Sequence, residues 1–100
     1  MSGKNKPGAG RPPAETSEDT FAGRVGGLIR RRRVKLKLTL NEVARRSGGS
    51  LTVSMLSSYE IGRSEPTLSN YVALCMALGV GPEDFLPRPL RRQLAAGRDA

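Results

Sequence analysis

The strongest constraint on the fold of this sequence is a pair of short helical patterns separated by two glycines, within residues 39–62. Apolar residues recur at spacings of three or four on both sides of Gly48-Gly49, as they do on the buried face of a helix. Thr39 and Glu42 have the spacing of a capping box, in which each side chain bonds the backbone amide of the other residue. The segment therefore predicts two short helices joined by a tight turn.

Similar patterns before and after this segment extend the prediction to five helices and an all-α fold. Glycines and prolines mark the ends of the patterns, and threonines or serines stand at their starts. The predicted bounds are Phe21 for the start of helix 1, Leu40 to Ser47 for helix 2, a cap at Ser50 or Thr52 and an end near Gly62 for helix 3, Pro66-Thr67 to Gly79 for helix 4, and Pro82 to Leu86 for helix 5.

Helix 4 has the widest apolar stripe, which predicts that it lies across the core. Tyr59 of helix 3 and Tyr71 of helix 4 are both assigned to the core, and Cys75 is interpreted as a packing residue rather than a redox sensor. The stripe of helix 4 consists of Leu68, Tyr71, Val72, Leu74, Cys75 and Leu78.

One hundred residues are enough for one small domain, which we assign to residues 21–87. Residues 1–20 are rich in Gly, Pro, Ser, Lys and Glu, and predict a disordered arm. Within this arm Gly10-Arg11-Pro12 resembles the core of an AT-hook, although a plain flexible tail is the simpler interpretation. Residues 88–100 are assigned to a basic tail, either irregular or helical, in which Leu90 and Leu94 have helical spacing.

The charge of the chain favours a polyanionic partner. Seventeen Lys and Arg against nine Asp and Glu give a net charge of +8, which suits nucleic acid or an anionic membrane surface. The apolar runs are too short for a spanning helix, so a cytoplasmic protein that associates with the nucleoid is expected. One cysteine and no histidine leave no pattern for a metal site, and no cofactor, catalytic site or enzyme activity is predicted.

The order and spacing of these motifs resemble the DNA-binding domain of the lambda repressor and Cro superfamily, also called the XRE family. The resemblance covers residues 22–86 and implies a compact five-helix DNA-binding domain with flexible basic tails, which binds operator DNA as a homodimer. The residues that carry it are Gly26, Ile29, Arg33, Thr39 to Ala44, Ser57 to Gly62, Pro66 and Ala77 to Val80.

One spacing departs from the usual pattern of the family. Ala44 and Glu60 are sixteen residues apart, about two more than is common, which indicates a turn lengthened at Gly48-Gly49. The longer spacing and the Ser-Tyr-Glu-x-Gly end of helix 3 resemble the BldD-type regulators of actinobacteria. The family also implies an ion pair between Arg33 and Glu60 that links helix 1 to helix 3.

Two sets of residues are predicted to contact DNA. The base-reading set lacks Arg, Asn and Gln, so specificity is expected from several weak contacts and from DNA shape. Phosphate contacts are expected from residues at helix starts and from nearby basic residues. The predicted base-reading residues are Thr52, Val53, Ser54, Ser57 and Ser58, and the predicted phosphate contacts are Asn41, Arg45, Arg46, Arg63, Ser64 and Thr67.

Three functions stay open at this point. The leading one is a sequence-specific transcriptional regulator, a repressor that acts as a homodimer through helix 5 and the tail. The second is a small controller or antitoxin that also binds a protein partner through Leu90 and Leu94 of the tail. The third is a non-specific, nucleoid-type DNA-binding or membrane-surface protein. Arg32, at a usually apolar position of the family, is expected to extend along the surface or to face phosphate or a second subunit.

Overall fold

The computed structural model describes residues 19–99, with side chains as far as residue 97. Every regular element within this range is helical, and the predicted all-α, five-helix class is confirmed. The predicted arm lies outside the described residues except for residues 19 and 20, and the AT-hook-like tripeptide lies wholly outside them. The elements are α1 (Phe21–Lys35), α2 (Leu40–Arg46), α3 (Val53–Glu60), α4 (Leu68–Leu78), a 3₁₀ turn (Pro82–Phe85) and α5 (Arg88–Asp99).

The first four helices all begin at a threonine whose hydroxyl oxygen accepts a hydrogen bond from the amide three residues later. The oxygen-to-nitrogen distances are 2.9 Å at Thr20, 3.1 Å at Thr39 and Thr52, and 3.2 Å at Thr67. The predicted capping box at α2 is present, since the Thr39 amide also donates to Glu42 Oε1 at 2.7 Å. Of the two caps predicted for α3, the structure selects Thr52.

The turn between α2 and α3 explains the longer spacing of this chain. Gly48 and Gly49 both have positive φ angles, 68° and 90°, which glycine adopts without the steric cost of a side chain. Ser47 steadies the turn by donating to the Ala44 carbonyl and accepting from the Leu51 amide. Leu51, which the sequence reading passed over, is 1% exposed. It immediately precedes the Thr52 cap, where a buried apolar residue fixes the entry of the chain into the helix.

The core lies where the first four helices and the 3₁₀ turn meet. Tyr59 and Cys75 are buried in it as predicted, and Phe85 anchors the 3₁₀ turn. The buried apolar residues are Val25, Ile29, Val43, Leu51, Leu56, Tyr59, Leu74, Cys75, Ala77, Leu78 and Phe85.

One feature of the predicted architecture is wrong, since the apolar stripe of α4 is not buried throughout. The apolar stripe of α4 is wider than the surface it covers, so Leu68 and Val72 are exposed and Tyr71 is half-buried. The short helix predicted at Pro82 to Leu86 is present as a 3₁₀ helix, Pro82–Phe85. Pro87, two residues after its end, has no amide hydrogen with which to extend it. The basic tail, for which a helix was also considered, forms α5 from Arg88.

Candidate nucleic-acid interface

Glycines allow α1 to approach the backbone of α3 closely. A Cβ atom on Gly26 would overlap the carbonyl oxygens of Tyr59 and Glu60 in the last turn of α3. A Cβ atom on Gly62 would come within 2.7 Å of the Cα of Gly23. Because backbone meets backbone at both places, these contacts limit how α3 can turn relative to α1.

An ion pair connects the same two helices. Arg33 donates from Nε to Glu60 Oε2 at 2.6 Å and from Nη2 to Glu60 Oε1 at 2.9 Å. The Arg33 Nη1 atom also donates to the Leu38 carbonyl at 2.9 Å, so one guanidinium joins α1, α3 and the segment before α2. The hydrogen bonds that Arg33 donates to the Glu60 carboxylate raise the pKa of Arg33 above its usual value. Two parallel bonds to a carboxylate fix orientation as well as distance.

The side of α3 that faces α1 is fixed by the ion pair and the close backbone contacts. The opposite, outer side of α3 carries no charged residue. Thr52, Val53 and Ser54 are exposed, whereas Ser57 and Ser58 are partly buried. The sole charged residue of α3, Glu60, is 5% exposed and bonded to Arg33. The five predicted base-reading residues therefore offer hydroxyl and methyl groups, three of them from exposed positions and two from partly buried ones.

Hydrogen bonds within the protein already engage some of these hydroxyls. Thr52 Oγ1 accepts from the Met55 amide, which leaves the hydroxyl hydrogen of Thr52 free to donate. Ser58 Oγ lies 3.0 Å from Ser64 Oγ, so a predicted base-reading residue is bonded to a predicted phosphate contact. The contacts of Thr52 and Ser58 with a ligand are thus restricted by their partners in the protein.

The six predicted phosphate contacts are all exposed and lie at helix ends. Asn41 lies in the first turn of α2, and Thr67 caps α4, where backbone amides can bind an anion. Arg63 and Ser64 follow α3 directly. Arg45 and Arg46 end α2.

One of these residues, Arg46, has a partner inside the protein, since its Nη1 donates to the Ala77 carbonyl at 3.1 Å. The Nε of Arg32 donates to the neighbouring Leu78 carbonyl at 3.3 Å. Two arginines from different helices therefore bind the C-terminal end of α4, where carbonyl groups lack helical partners and cations are favoured. The sequence reading missed this role of Arg32, because only the fold brings α1 to the end of α4.

Neither a metal site nor a membrane-spanning element occurs in the part of the chain that the structure describes. Within it, no three His, Cys, Asp or Glu side chains are grouped so that they could hold a metal ion. The helices there are too short or too polar to cross a bilayer.

Comparison with known proteins gives three matches of one kind. A family model described as helix-turn-helix matches residues 29–85. The crystal structure of the DNA-binding domain of BldD is similar with a TM-score of 0.61 and 28% identity, over 67% of this chain and 94% of that chain. The structure of a hypothetical transcription factor, NHTF from Neisseria, has a TM-score of 0.63 and 28% identity, over 79% of this chain and 88% of that chain. No curated protein sequence matches.

Proposed function

The chain belongs to the XRE-type helix-turn-helix family of DNA-binding transcriptional regulators, and from this membership we propose that it is a homodimeric repressor that reads the major groove with α3. The observation that carries the proposal is the exposed, uncharged side of α3, bounded by Arg45 and Arg46 before it and Arg63 after it. Base edges bind neutral donors and acceptors, while phosphates bind the flanking cations.

The ion pair between Arg33 and Glu60 supports the assignment of α3 as the reading element. A helix that reads bases must keep its angle to the elements that bind phosphate, because a small rotation would displace every side chain from its base. The paired carboxylate and the close backbone contact at Gly26 restrict that rotation.

Specificity in this proposal comes from several weak contacts. The hydroxyl groups of Thr52, Ser54, Ser57 and Ser58 donate to or accept from base edges, and the methyl groups of Val53 and Thr52 meet thymine methyl groups. Asn41, Arg45, Arg46, Arg63, Ser64 and Thr67 bind the phosphates on both sides. DNA shape adds selectivity at positions that the protein does not touch. In this proposal the protein lies in the cytoplasm, associated with the nucleoid.

The experiment is selection of bound fragments from a random-sequence duplex pool at about 150 mM salt, where binding by charge alone is weakened. An enriched palindrome with half-sites about 34 to 36 Å apart is expected. Fragments without a shared motif would contradict specific reading and favour the nucleoid-type alternative. Repression is tested by placing the enriched site upstream of a reporter gene, where the protein should lower expression.

A second function is favoured by α5. Leu94 is 53% exposed on this helix, one turn after the half-buried Leu90. This arrangement fits a controller or antitoxin that binds its own promoter and also a protein partner. Stable co-purification of one partner, lost on Leu94→Glu and retained on Val34→Glu, would support it.

A further inference from the structure

The outer side of α4 carries an exposed apolar stripe. Leu68, Val72 and Met76 are 81%, 49% and 78% exposed, and they follow one another at intervals of four residues. Residues four apart lie on the same face of a helix. Large apolar side chains grouped in this way on a soluble protein mark a surface that another molecule covers.

We propose that a second copy of this chain covers this α4 stripe, with the two α4 helices antiparallel and Val72 near the two-fold axis. The inference deepens the proposed function, on which it rests, by naming the dimer interface. Val72 lies midway between Leu68 and Met76, so an antiparallel pair brings Leu68 of each copy against Met76 of the other. A two-fold interface requires this self-complementarity, in which each contact occurs twice.

The two candidate dimer interfaces, α4 and α5, differ in charge. Among the helices that the structure describes, α4 is the one without a charged residue. By contrast, α5 carries Arg88, Arg91 and Arg92 close to Leu90 and Leu94. In a chain with a net charge of +8, two copies meet with less repulsion along α4 than along α5. The arginines bonded to α4, Arg32 and Arg46, lie at its C-terminal end, and an antiparallel pair keeps the C-terminal ends of the two helices apart.

A groove beside the stripe enlarges the contact surface. Leu68 forms one wall of this groove of about 280 Å³, which Phe21, Pro66, Tyr71 and Leu86 also line. The unbranched Met76 side chain of the second copy would lie at the edge of the groove, and methionine adapts well to irregular apolar surfaces. The stripe is nevertheless smaller than the roughly 800 Å² per partner of a standard interface, so the dimer is weak without DNA.

The first test is sedimentation equilibrium of the full chain at concentrations up to about 1 mM, a range that detects weak dimers. Val72→Glu places two carboxylates opposite each other and is expected to raise the dimer dissociation constant about 100-fold. Val34→Glu is the matched control, since Val34 is an exposed valine on α1, 55% exposed. It should leave dimerisation unchanged, as should Leu94→Glu on α5.

Three results of this test would overturn the proposal: a wild-type chain that stays monomeric, a Val72→Glu variant that dimerises normally, or loss of the dimer in Leu94→Glu. Circular dichroism establishes whether each variant is folded. If Val72→Glu does not fold, the interface is tested by crosslinking the Val72→Cys variant with a bismaleimide. The reagent should span about 8 to 10 Å, the usual separation of packed helix axes. Crosslinking of Val72→Cys and not of Val34→Cys is expected, and the wild type controls for the buried Cys75. Equal crosslinking of both variants, or of neither, would refute the interface.

The tests of the α4 interface can fail independently of the tests of base reading by α3. If α3 reads DNA and α4 forms the dimer, Val72→Glu keeps its base preference on a single half-site and loses the added affinity for the palindrome. A chain without any sequence preference refutes the reading function even if Val72→Cys crosslinks. A chain that selects a palindrome and fails the Val72 tests refutes the interface alone.

Discussion

The hydroxyl oxygens of Ser58 and Ser64 lie 3.0 Å apart, which joins the outer side of α3 to the loop that follows it. A phosphate oxygen can only accept, so Ser64 bound to phosphate donates its hydrogen outward and accepts the hydrogen of Ser58. The Ser58 oxygen then presents lone pairs alone to a base. We therefore expect Ser58 to prefer the amino groups of adenine and cytosine.

Ser64→Ala should weaken this preference by about 1 kcal/mol, because the Ser58 hydroxyl can then rotate and donate to thymine or guanine. Binding constants for duplexes with each of the four base pairs at the contacted position measure the effect. Ser69→Ala, which removes another exposed hydroxyl beyond α3, should leave the preference intact. An unchanged preference in Ser64→Ala would show that the Ser64 hydroxyl does not orient Ser58.

Base reading and phosphate binding should separate on mutation. The double variant Ser54→Ala and Ser58→Ala is expected to blunt the preference for the selected sequence, because both hydroxyls face base edges in the proposal. Arg63→Ala should weaken binding to all sequences alike and lower the slope of log K against log salt by about one. Titrations with specific and random duplexes at several salt concentrations test both. The opposite pattern would show that the two roles are exchanged.

Removal of Arg33 should destabilise the fold strongly. Arg33→Ala leaves the buried carboxylate of Glu60 without this guanidinium, at an expected cost of about 3 kcal/mol in the free energy of unfolding. The exposed Arg31 of the same helix is the matched control, and Arg31→Ala should change stability by less than about 0.5 kcal/mol. Urea unfolding measures both variants. A double variant, Arg33→Met with Glu60→Leu, should recover most of the loss, since no charge is then buried.

Because α1 and α3 approach each other closely at Gly26, adding a single methyl group there should strongly reduce the stability of the fold. Gly26→Ala should destabilise the protein by about 3 kcal/mol, because the new Cβ overlaps backbone carbonyls that cannot move independently. Gly97→Ala in α5 is the control, since a Cβ there meets no atom within 4 Å. It should stabilise its helix by up to about 1 kcal/mol. Thermal unfolding distinguishes these opposite signs, and a neutral Gly26→Ala would contradict the packing.

Alkaline unfolding should depend on Tyr71. Its hydroxyl donates to the Pro82 carbonyl, and burial raises the pKa of Tyr71 from 10.0 to about 12. A group whose pKa is raised by folding stabilises the fold below its unfolded pKa, so this contribution is lost as pH rises from about 10 to 12. Burial also raises the pKa of Cys75. Tyr71→Phe should therefore be compared with its parent protein in a Cys75→Ala background. The free energy of unfolding of the Tyr71→Phe variant should fall less than that of its parent between about pH 10 and 12. Parallel curves would exclude Tyr71 as a source of alkaline sensitivity.

Local hydrogen bonds made the helix boundaries predictable from the sequence. The capping box joins Thr39 and Glu42, which are only three residues apart, and involves no distant part of the chain. The spacing of the two residues was therefore sufficient to predict it. The choice between Ser50 and Thr52 as the cap of α3 was left open because both residues precede a helical pattern. Burial of Leu51 decides between them, and burial is a property of the whole fold.

Features that depend on distant elements were harder to predict. The apolar pattern of α4 could not show which of its residues are exposed. Leu68 and Leu74 are the same residue type, but Leu74 packs against other elements whereas Leu68 is exposed. Likewise, the partners of Arg32 and Arg46 are backbone carbonyls, which carry no signature in the sequence. The residues proposed to contact DNA could be placed on the surface by helical spacing, but their roles await the binding experiments.

The threonine caps affect how a protein of this kind can evolve. Since the start of α3 depends on the Thr52 hydroxyl and the Met55 amide, the side chains at 53, 54, 57 and 58 can be exchanged without moving the helix boundary. If α3 reads bases as proposed, two descendants of a duplicated gene can acquire different operators through a few substitutions while their folds stay superimposable. Divergence of regulatory targets then proceeds with little risk to folding.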